Sequence, residues 1–153
     1  MKIDGKPYRT IFPAADGTSV VVIDQTRLPF AFDLKTLSTL DDAAVAIRTM
    51  VVRGAPLIGV AAAYGLALGL RTDASEAGLD HAVATLAATR PTAINLRWAL
   101  DRVAAKLRTV PEAERAAFAY AEAGRIAEED VESCHAIGVH GARILSDLHR
   151  QKG

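Results

Sequence analysis

The chain of 153 residues carries 18 Lys plus Arg against 18 Asp plus Glu, half of its residues are hydrophobic, and only 5% are aromatic. That length suits one domain whose core is built from Ala, Leu, Val and Ile rather than from rings. A charge sum of zero gives no broad attraction to nucleic acid or an anionic membrane, one cysteine permits no internal disulfide, and residues 1–10 have no apolar signal core, so the expectation is a soluble cytoplasmic protein that meets partners at local sites.

The first forty residues have strand character. Segments 8–12, 18–24 and 28–34 are rich in β-branched and aromatic residues, with Asp16-Gly17 as a turn and Asp24-Gln25-Thr26-Arg27 as a polar break. Pro29 limits the third segment to an edge or an irregular strand. A small antiparallel β-meander over residues 1–38 follows.

The period then becomes helical. Ser38 or Thr39 with Asp41 or Asp42 can cap a helix whose Leu40, Ala44, Ile47 and Val51 share one face, ending near Arg53-Gly54. Residues 57–70 contain no charge and many small side chains, the pattern of a helix buried all round and closely approached by its neighbours; Pro56 suits its first turn. Asp73 with Glu76 can start a third helix marked by Leu79, Val83 and Leu86, which Arg90-Pro91-Thr92 breaks. Thr92 can cap a fourth, with a stripe of Leu96, Leu100, Val103 and Leu107. After Pro111 an alanine-rich segment reads as one long helix to about residue 148, with Ala119, Ala123, Ala127, Val131, Cys134, Gly138, Ala142 and Leu145 on one face; Gly124, Gly138 and Gly141 weaken its continuity. The fold class is therefore mainly α, a helical bundle over residues 39–150 behind the meander.

Chemistry concentrates at two junctions. The backbone N–H groups around Gly54, Ala55 and Leu57 lie at the positive end of a buried helix, with Arg53 just outside, which together could hold a phosphate or carboxylate. The alternative is that Gly54 makes a turn and Arg53 pairs with a structural carboxylate. Arg90, beside a proline that forces extended backbone, could converge with Arg53 in a sugar-phosphate clamp, or could bond the carbonyls ending the preceding helix. Asp24, Gln25 and Asn95 could line a pocket, but read first as capping or turn residues, and Trp98 as core. His135 and His140 are not at ligand spacing, which argues against a metal site. Cys134 reads as a packing residue on the small-residue face. No P-loop, Gly-x-Ser-x-Gly or dinucleotide fingerprint occurs. The residues alone describe an anion clamp without an acid, a base or a nucleophile.

Arg53-Gly54-Ala55-Pro56-Leu57-Ile58-Gly59-Val60-Ala61-Ala62-Ala63-Tyr64-Gly65 resembles the signature of the methylthioribose-1-phosphate isomerase family. Three more stretches agree in order: Ile23-Asp24-Gln25-Thr26-Arg27-Leu28-Pro29, Arg90-Pro91-Thr92-Ala93-Ile94-Asn95-Leu96 with Trp98 and Arg102, and Ile137-Gly138-Val139-His140-Gly141. Leu57 and Val139 stand where that family usually has Ala and Glu. The resemblance spans essentially the whole chain. It implies the helical N-terminal domain of a two-domain aldose-ketose isomerase of methionine salvage, with the Rossmann-like catalytic domain absent from this chain. It further implies that Arg53, Gly54, Ala55 and Arg90 bind the phosphosugar substrate, that no catalytic residue lies in this chain, and that no metal or nucleotide cofactor is used. The family's catalytic cysteine belongs to a Thr-His-Cys-Asn motif that Cys134 does not match. Homodimerisation is expected from the family, and no nucleic acid or membrane partner. The alternatives are ribose 1,5-bisphosphate isomerase, a non-catalytic assembly module like the regulatory subunits of translation initiation factor 2B, or a free-standing binding protein. A domain severed from its partner should expose an apolar patch.

Overall fold

A computed structural model of the chain describes residues 2, 3 and 5–152. It opens on a hairpin of two-residue strands, β1 (Lys2–Ile3) and β2 (Lys6–Pro7), too short to leave a periodic signal in the sequence. Three strands follow, β3 (Ile11–Pro13), β4 (Val20–Ile23) and β5 (Leu34–Leu37), antiparallel and in the order β3-β4-β5. The register pairs Ile11 with Val22 and Val20 with Leu37. Cross-strand partners share a face, and these four side chains are all buried. The turn from β3 to β4 closes on Asp16, which accepts backbone hydrogen bonds from Ser19 at 2.7 Å and Thr18 at 2.8 Å. Hydrogen bonding from the Ser19 side chain, together with these two amides, favours the ionised form and holds the carboxyl well below the usual range.

The expected third strand over 28–34 is corrected to Leu34–Leu37. Residues 24–33 instead form a chain of turns. Asp24 accepts from the backbone and hydroxyl of Thr26, Phe30 N–H and Ala31 N–H both donate to Arg27 O, and Arg27 pairs with Asp33 at 3.1 Å. The turn bonds of Thr26, Phe30 and Ala31 keep this stretch out of the ladder, which is approached only where Asp24 N–H donates to Asp33 O at 2.9 Å. Phe30, which looks like a strand residue in sequence, is 96% exposed.

The five helices are α1 (Leu40–Arg48), α2 (Ala55–Leu70), α3 (Glu76–Ala87), α4 (Ile94–Leu107) and α5 (Glu112–Lys152). Thr39 caps α1 in a full capping box: its hydroxyl accepts from Asp42 N–H at 3.1 Å while the Asp42 carboxylate accepts from Thr39 N–H at 3.0 Å. The helix ends a turn earlier than expected, at Thr49, although Val51 remains buried. Ser75, not Asp73, caps α3, because Asp73 turns its carboxylate onto Ser75 N–H at 3.0 Å and so fixes the loop in front of the cap. The cap of α4 is Ala93 rather than Thr92, and it offers no side-chain acceptor.

The core is organised around α2, which packs against α1, α3, α4 and α5 and is buried along nearly its whole length from Ile58 to Leu70. Its small residues permit this. A Cβ added to Gly59 would sit 2.8 Å from the backbone oxygen of Asn95, so glycine is what allows α2 and α4 to approach at their N-terminal ends. Gly59→Ala is therefore expected to destabilise the fold by about 1–3 kcal/mol, the usual cost of overpacking, read as a lower midpoint in urea unfolding. An unchanged midpoint would mean that the two helices part at no cost.

Between α4 and α5 lies one fully buried carboxylate, Glu122. Arg102 Nε donates to it at 2.9 Å, Lys106 Nζ at 2.5 Å and Arg125 Nε at 2.7 Å, and Arg102 also forks onto Glu129 at 2.5 and 2.7 Å. Burial alone would raise the pKa of Glu122, but the bonds from Lys106, Arg102 and Arg125 outweigh it and hold the carboxyl below its ordinary value.

The long helix α5 runs 41 residues without a break, through all three of its internal glycines. Its first half packs on the core through Ala119, Ala123 and Ile126. Beyond Asp130 it leaves the bundle, and nearly every side chain is exposed. The reading of Cys134 as a packing residue is therefore corrected: it is an exposed thiol. The small-residue face was traced correctly along the helix, but periodicity cannot say where the neighbouring elements end. Cys134→Ser is expected to leave stability within about 0.5 kcal/mol, and the thiol of the 153-residue chain to react fully with a thiol reagent without denaturant. Protection in the folded chain would count against the exposed placement.

Candidate functional site

The two junctions singled out in the sequence meet. After α1, Thr49 ends the helix and Met50 adopts a left-handed backbone with φ 63°, alone in this among the described residues other than glycine. The chain then buries Val51 and Val52, with Val52 N–H bonded to Ala46 O at 3.2 Å. A non-glycine residue in that region costs about 1–2 kcal/mol, and the position just past a helix end is where glycine is most often found. Gly54 follows with φ 103°, where glycine is required, and starts α2 without a side-chain cap. Ala55 and Pro56 form the first turn, so the donors that remain at this end are the N–H groups of Gly54, Ala55 and Leu57.

The β4–β5 connection is tied to this turn. Gln25 N–H donates to Val51 O at 3.0 Å, Arg53 Nε donates to Gln25 Oε1 at 3.3 Å, and Gln25 Nε2 returns to Arg53 O at 3.4 Å. Gln25 therefore orients Arg53, which the sequence does not announce. Its reading as a turn residue is corrected to this side-chain contact.

From the other side, Thr89 closes α3 by donating its hydroxyl to Leu86 O at 2.5 Å, and Arg90 O accepts from Ala93 N–H at 3.0 Å, which tightens the Arg90-Pro91-Thr92 turn. The second uncapped helix start, that of α4, lies here. The Arg90 side chain makes no hydrogen bond and no ion pair with any described residue, and Arg53 makes none beyond Gln25. Among the described residues neither arginine is paired with a carboxylate or with the carbonyls that end α3.

Arg53, Gly54, Ala55 and Arg90 line one open cavity of about 620 Å³ together with Gln25, Met50, Ile58, Thr92 and Ala93. Two guanidinium groups and two uncapped helix starts face it, and none of its lining residues is acidic. Such an arrangement is suited to a phosphate, which would take charge from the arginines and hydrogen bonds from the amides. The lining holds no carboxylate, imidazole, thiol, amine or phenol. Of these residues, Met50, Ile58 and Thr92 were not candidates from sequence. Thr92 was expected to cap α4, and the shift of the cap to Ala93 leaves its side chain to the cavity.

Asn95 and Trp98 line a neighbouring cavity of about 300 Å³ between α2, α4 and α5. Trp98 is 49% exposed, with the Arg102 guanidinium 5.4 Å from its ring, so its reading as a core residue is corrected. Among the described residues, no group of three or more His, Cys, Asp or Glu side chains is placed to hold a metal ion, and no helix is long and apolar enough to cross a membrane.

Residues 51–150 match the initiation factor 2 subunit family. The chain is 76% identical over its full length to methylthioribose-1-phosphate isomerase of Methylorubrum populi, of which it covers 42%. Among solved structures it is similar to 5-methylthioribose 1-phosphate isomerase from Pyrococcus horikoshii, with a TM-score of 0.82 and 39% identity over 91% of this chain and 41% of that one. It is also similar to subunit delta of translation initiation factor eIF-2B from A. fulgidus, with a TM-score of 0.74 and 37% identity over 82% of this chain and 38% of that one. The chain thus spans about two fifths of the length of these relatives.

Proposed function

The chain belongs to the initiation factor 2 subunit family, and from that premise we propose that it is the N-terminal, substrate-binding domain of an isomerase that converts 5-methylthioribose 1-phosphate to 5-methylthioribulose 1-phosphate in methionine salvage. The observation that carries this reading is the convergence of Arg53, Gly54, Ala55 and Arg90 on one cavity without any catalytic side chain. The extent of the matched isomerases beyond this chain supports the same division of labour, in which a second, Rossmann-like domain supplies the acid and the base.

In this reaction the anomeric phosphate prevents spontaneous ring opening at C1. Ring opening needs an acid near the ring oxygen; a hydrogen then passes from C2 to C1 as the C2 hydroxyl becomes a carbonyl. The contribution of this domain is to neutralise the phosphate with Arg53 and Arg90, to receive its oxygens on the amides of Ala55 and Leu57, and so to hold the ribose in one orientation. Residues 1–38 and 39–150 act as a single N-terminal unit, in the cytoplasm and within a homodimer; the dimer rests on the family alone. The exposed Ile137, Ile144, Leu145 and Leu148 on α5 support a further protein surface against this domain.

The test is an isomerase assay on the protein at its native length, with 5-methylthioribose 1-phosphate and ribose 1,5-bisphosphate as competing substrates. Ketose formation from the first sugar is expected. Turnover of the bisphosphate alone would transfer the reading to that isomerase. Absence of turnover of either would favour a non-catalytic assembly module, the reading that the similarity to subunit delta of eIF-2B supports.

A further inference from the structure

Met50 is placed at a cost that its surroundings do not repay. Its backbone lies in the left-handed region just past the end of α1, where glycine would sit without strain, yet its side chain is 45% exposed and contributes little to the core. Anchoring of the α1–α2 turn falls to Val51 and Val52, which are 6% and 0% exposed. What the Met50 side chain does instead is line the cavity that holds Arg53 and Arg90.

The lining of that cavity is of two chemical kinds. Its cations are Arg53 and Arg90, joined by the uncapped helix starts, whereas its large apolar side chains are Met50 and the nearly buried Ile58. A ligand that carries both a phosphate and a thioether matches both kinds. Methionine is an adaptable partner for a small sulfur-containing group, since its thioether is polarisable and its three torsions let it follow an irregular shape.

Resting on the phosphosugar reading above, we propose that Met50 is the specificity-determining residue for the sugar's 5-substituent. Its side chain forms the apolar wall against a 5-methylthio group and disfavours a hydroxyl or a second phosphate there. A second phosphate would also need another cation, and the lining offers none beyond the two arginines.

The experiment compares the protein at its native length with its Met50→Ala, Met50→Gly and Met50→Leu variants. Two quantities are read: KM for 5-methylthioribose 1-phosphate, and the inhibition constant of ribose 1-phosphate, which keeps the phosphate but lacks the methylthio group. Removal of the side chain by alanine or glycine is expected to raise the first by about tenfold, the scale of a lost apolar contact in a specificity pocket. The second should move by less than about twofold. Met50→Leu should restore most of the discrimination. Met50→Gly relieves the backbone strain and should melt at or above the wild-type temperature, which separates the loss from unfolding. An unchanged ratio of the two constants in the alanine and glycine variants overturns the assignment, as does an equal loss on both sugars. If Arg53→Ala and Arg90→Ala weaken both sugars while the Met50 variants alter neither, only this inference falls. If the native protein acts on no phosphosugar, the earlier reading fails and this one with it.

Discussion

Replacing Arg90 with alanine is expected to lower kcat/KM for 5-methylthioribose 1-phosphate by about a hundredfold in the protein at its native length, the scale of one charge-assisted hydrogen-bonded contact to phosphate. The Arg90 side chain has no other partner among the described residues, so the melting temperature should barely change. Arg53→Ala should give a similar kinetic loss. The double variant should lose less than the product of the two, because both groups address one anion and the cavity, once it has lost one of them, holds the phosphate less firmly for the other. Lysine at position 90 should recover part of the activity as a point charge without a fork. Steady-state kinetics with thermal melts on the same samples decide the matter, and near-normal kinetics in both single alanine variants would remove the clamp from the mechanism.

The second large effect is on stability. Glu122→Gln is expected to cost about 3 kcal/mol at neutral pH, since it leaves Arg102, Lys106 and Arg125 gathered around a neutral amide. The three cations are partly exposed, at 21%, 46% and 55%, and this keeps the cost at the lower end of the range for broken buried pairs. The pH dependence follows from the direction of the shift. The folded pKa of Glu122 lies below the ordinary value of 4.5, so protonation is harder in the native state than in the unfolded one. Its contribution is complete above the unfolded pKa and is lost as pH falls through the folded one. Urea unfolding of wild type and variant at pH 7 and again near pH 3 should therefore show a gap that narrows in acid. A gap that is equal at both values, or absent at pH 7, would mean that the cluster adds no stability.

What could be read from the chain followed the physics that is local to it. The uncharged stretch of α2, the Leu96-Leu100-Val103-Leu107 stripe and the Thr39 capping box are properties of neighbouring residues, and they appear where expected. Arg53 and Arg90 could each be picked out by their place at a break. That they share a cavity depends on the close passage of α2 over α4 at Gly59, a contact between residues 36 apart. Gln25 could be picked out only as a polar residue at an element end, since its contact with Arg53 joins two distant turns, and Met50 carried no signal, because it acts through an unusual backbone angle. β5 was displaced because its own residues, with only Leu37 buried, look less like a strand than the turns before it. The outer half of α5 misled for a related reason: periodicity shows which face is apolar and not whether anything covers it.

The position of α2 at the centre of the bundle has a thermodynamic consequence for the cavity. Its exposed first turn runs straight into the stretch buried from Ile58 onward, so the amides there are anchored by a helix in contact with the four others. A ligand on those amides is thus linked to global unfolding rather than to a local loop equilibrium. Occupancy adds its binding free energy to the stability of the whole fold, and any lesion elsewhere in the core is felt at the cavity as a smaller fraction of competent molecules rather than as an altered geometry.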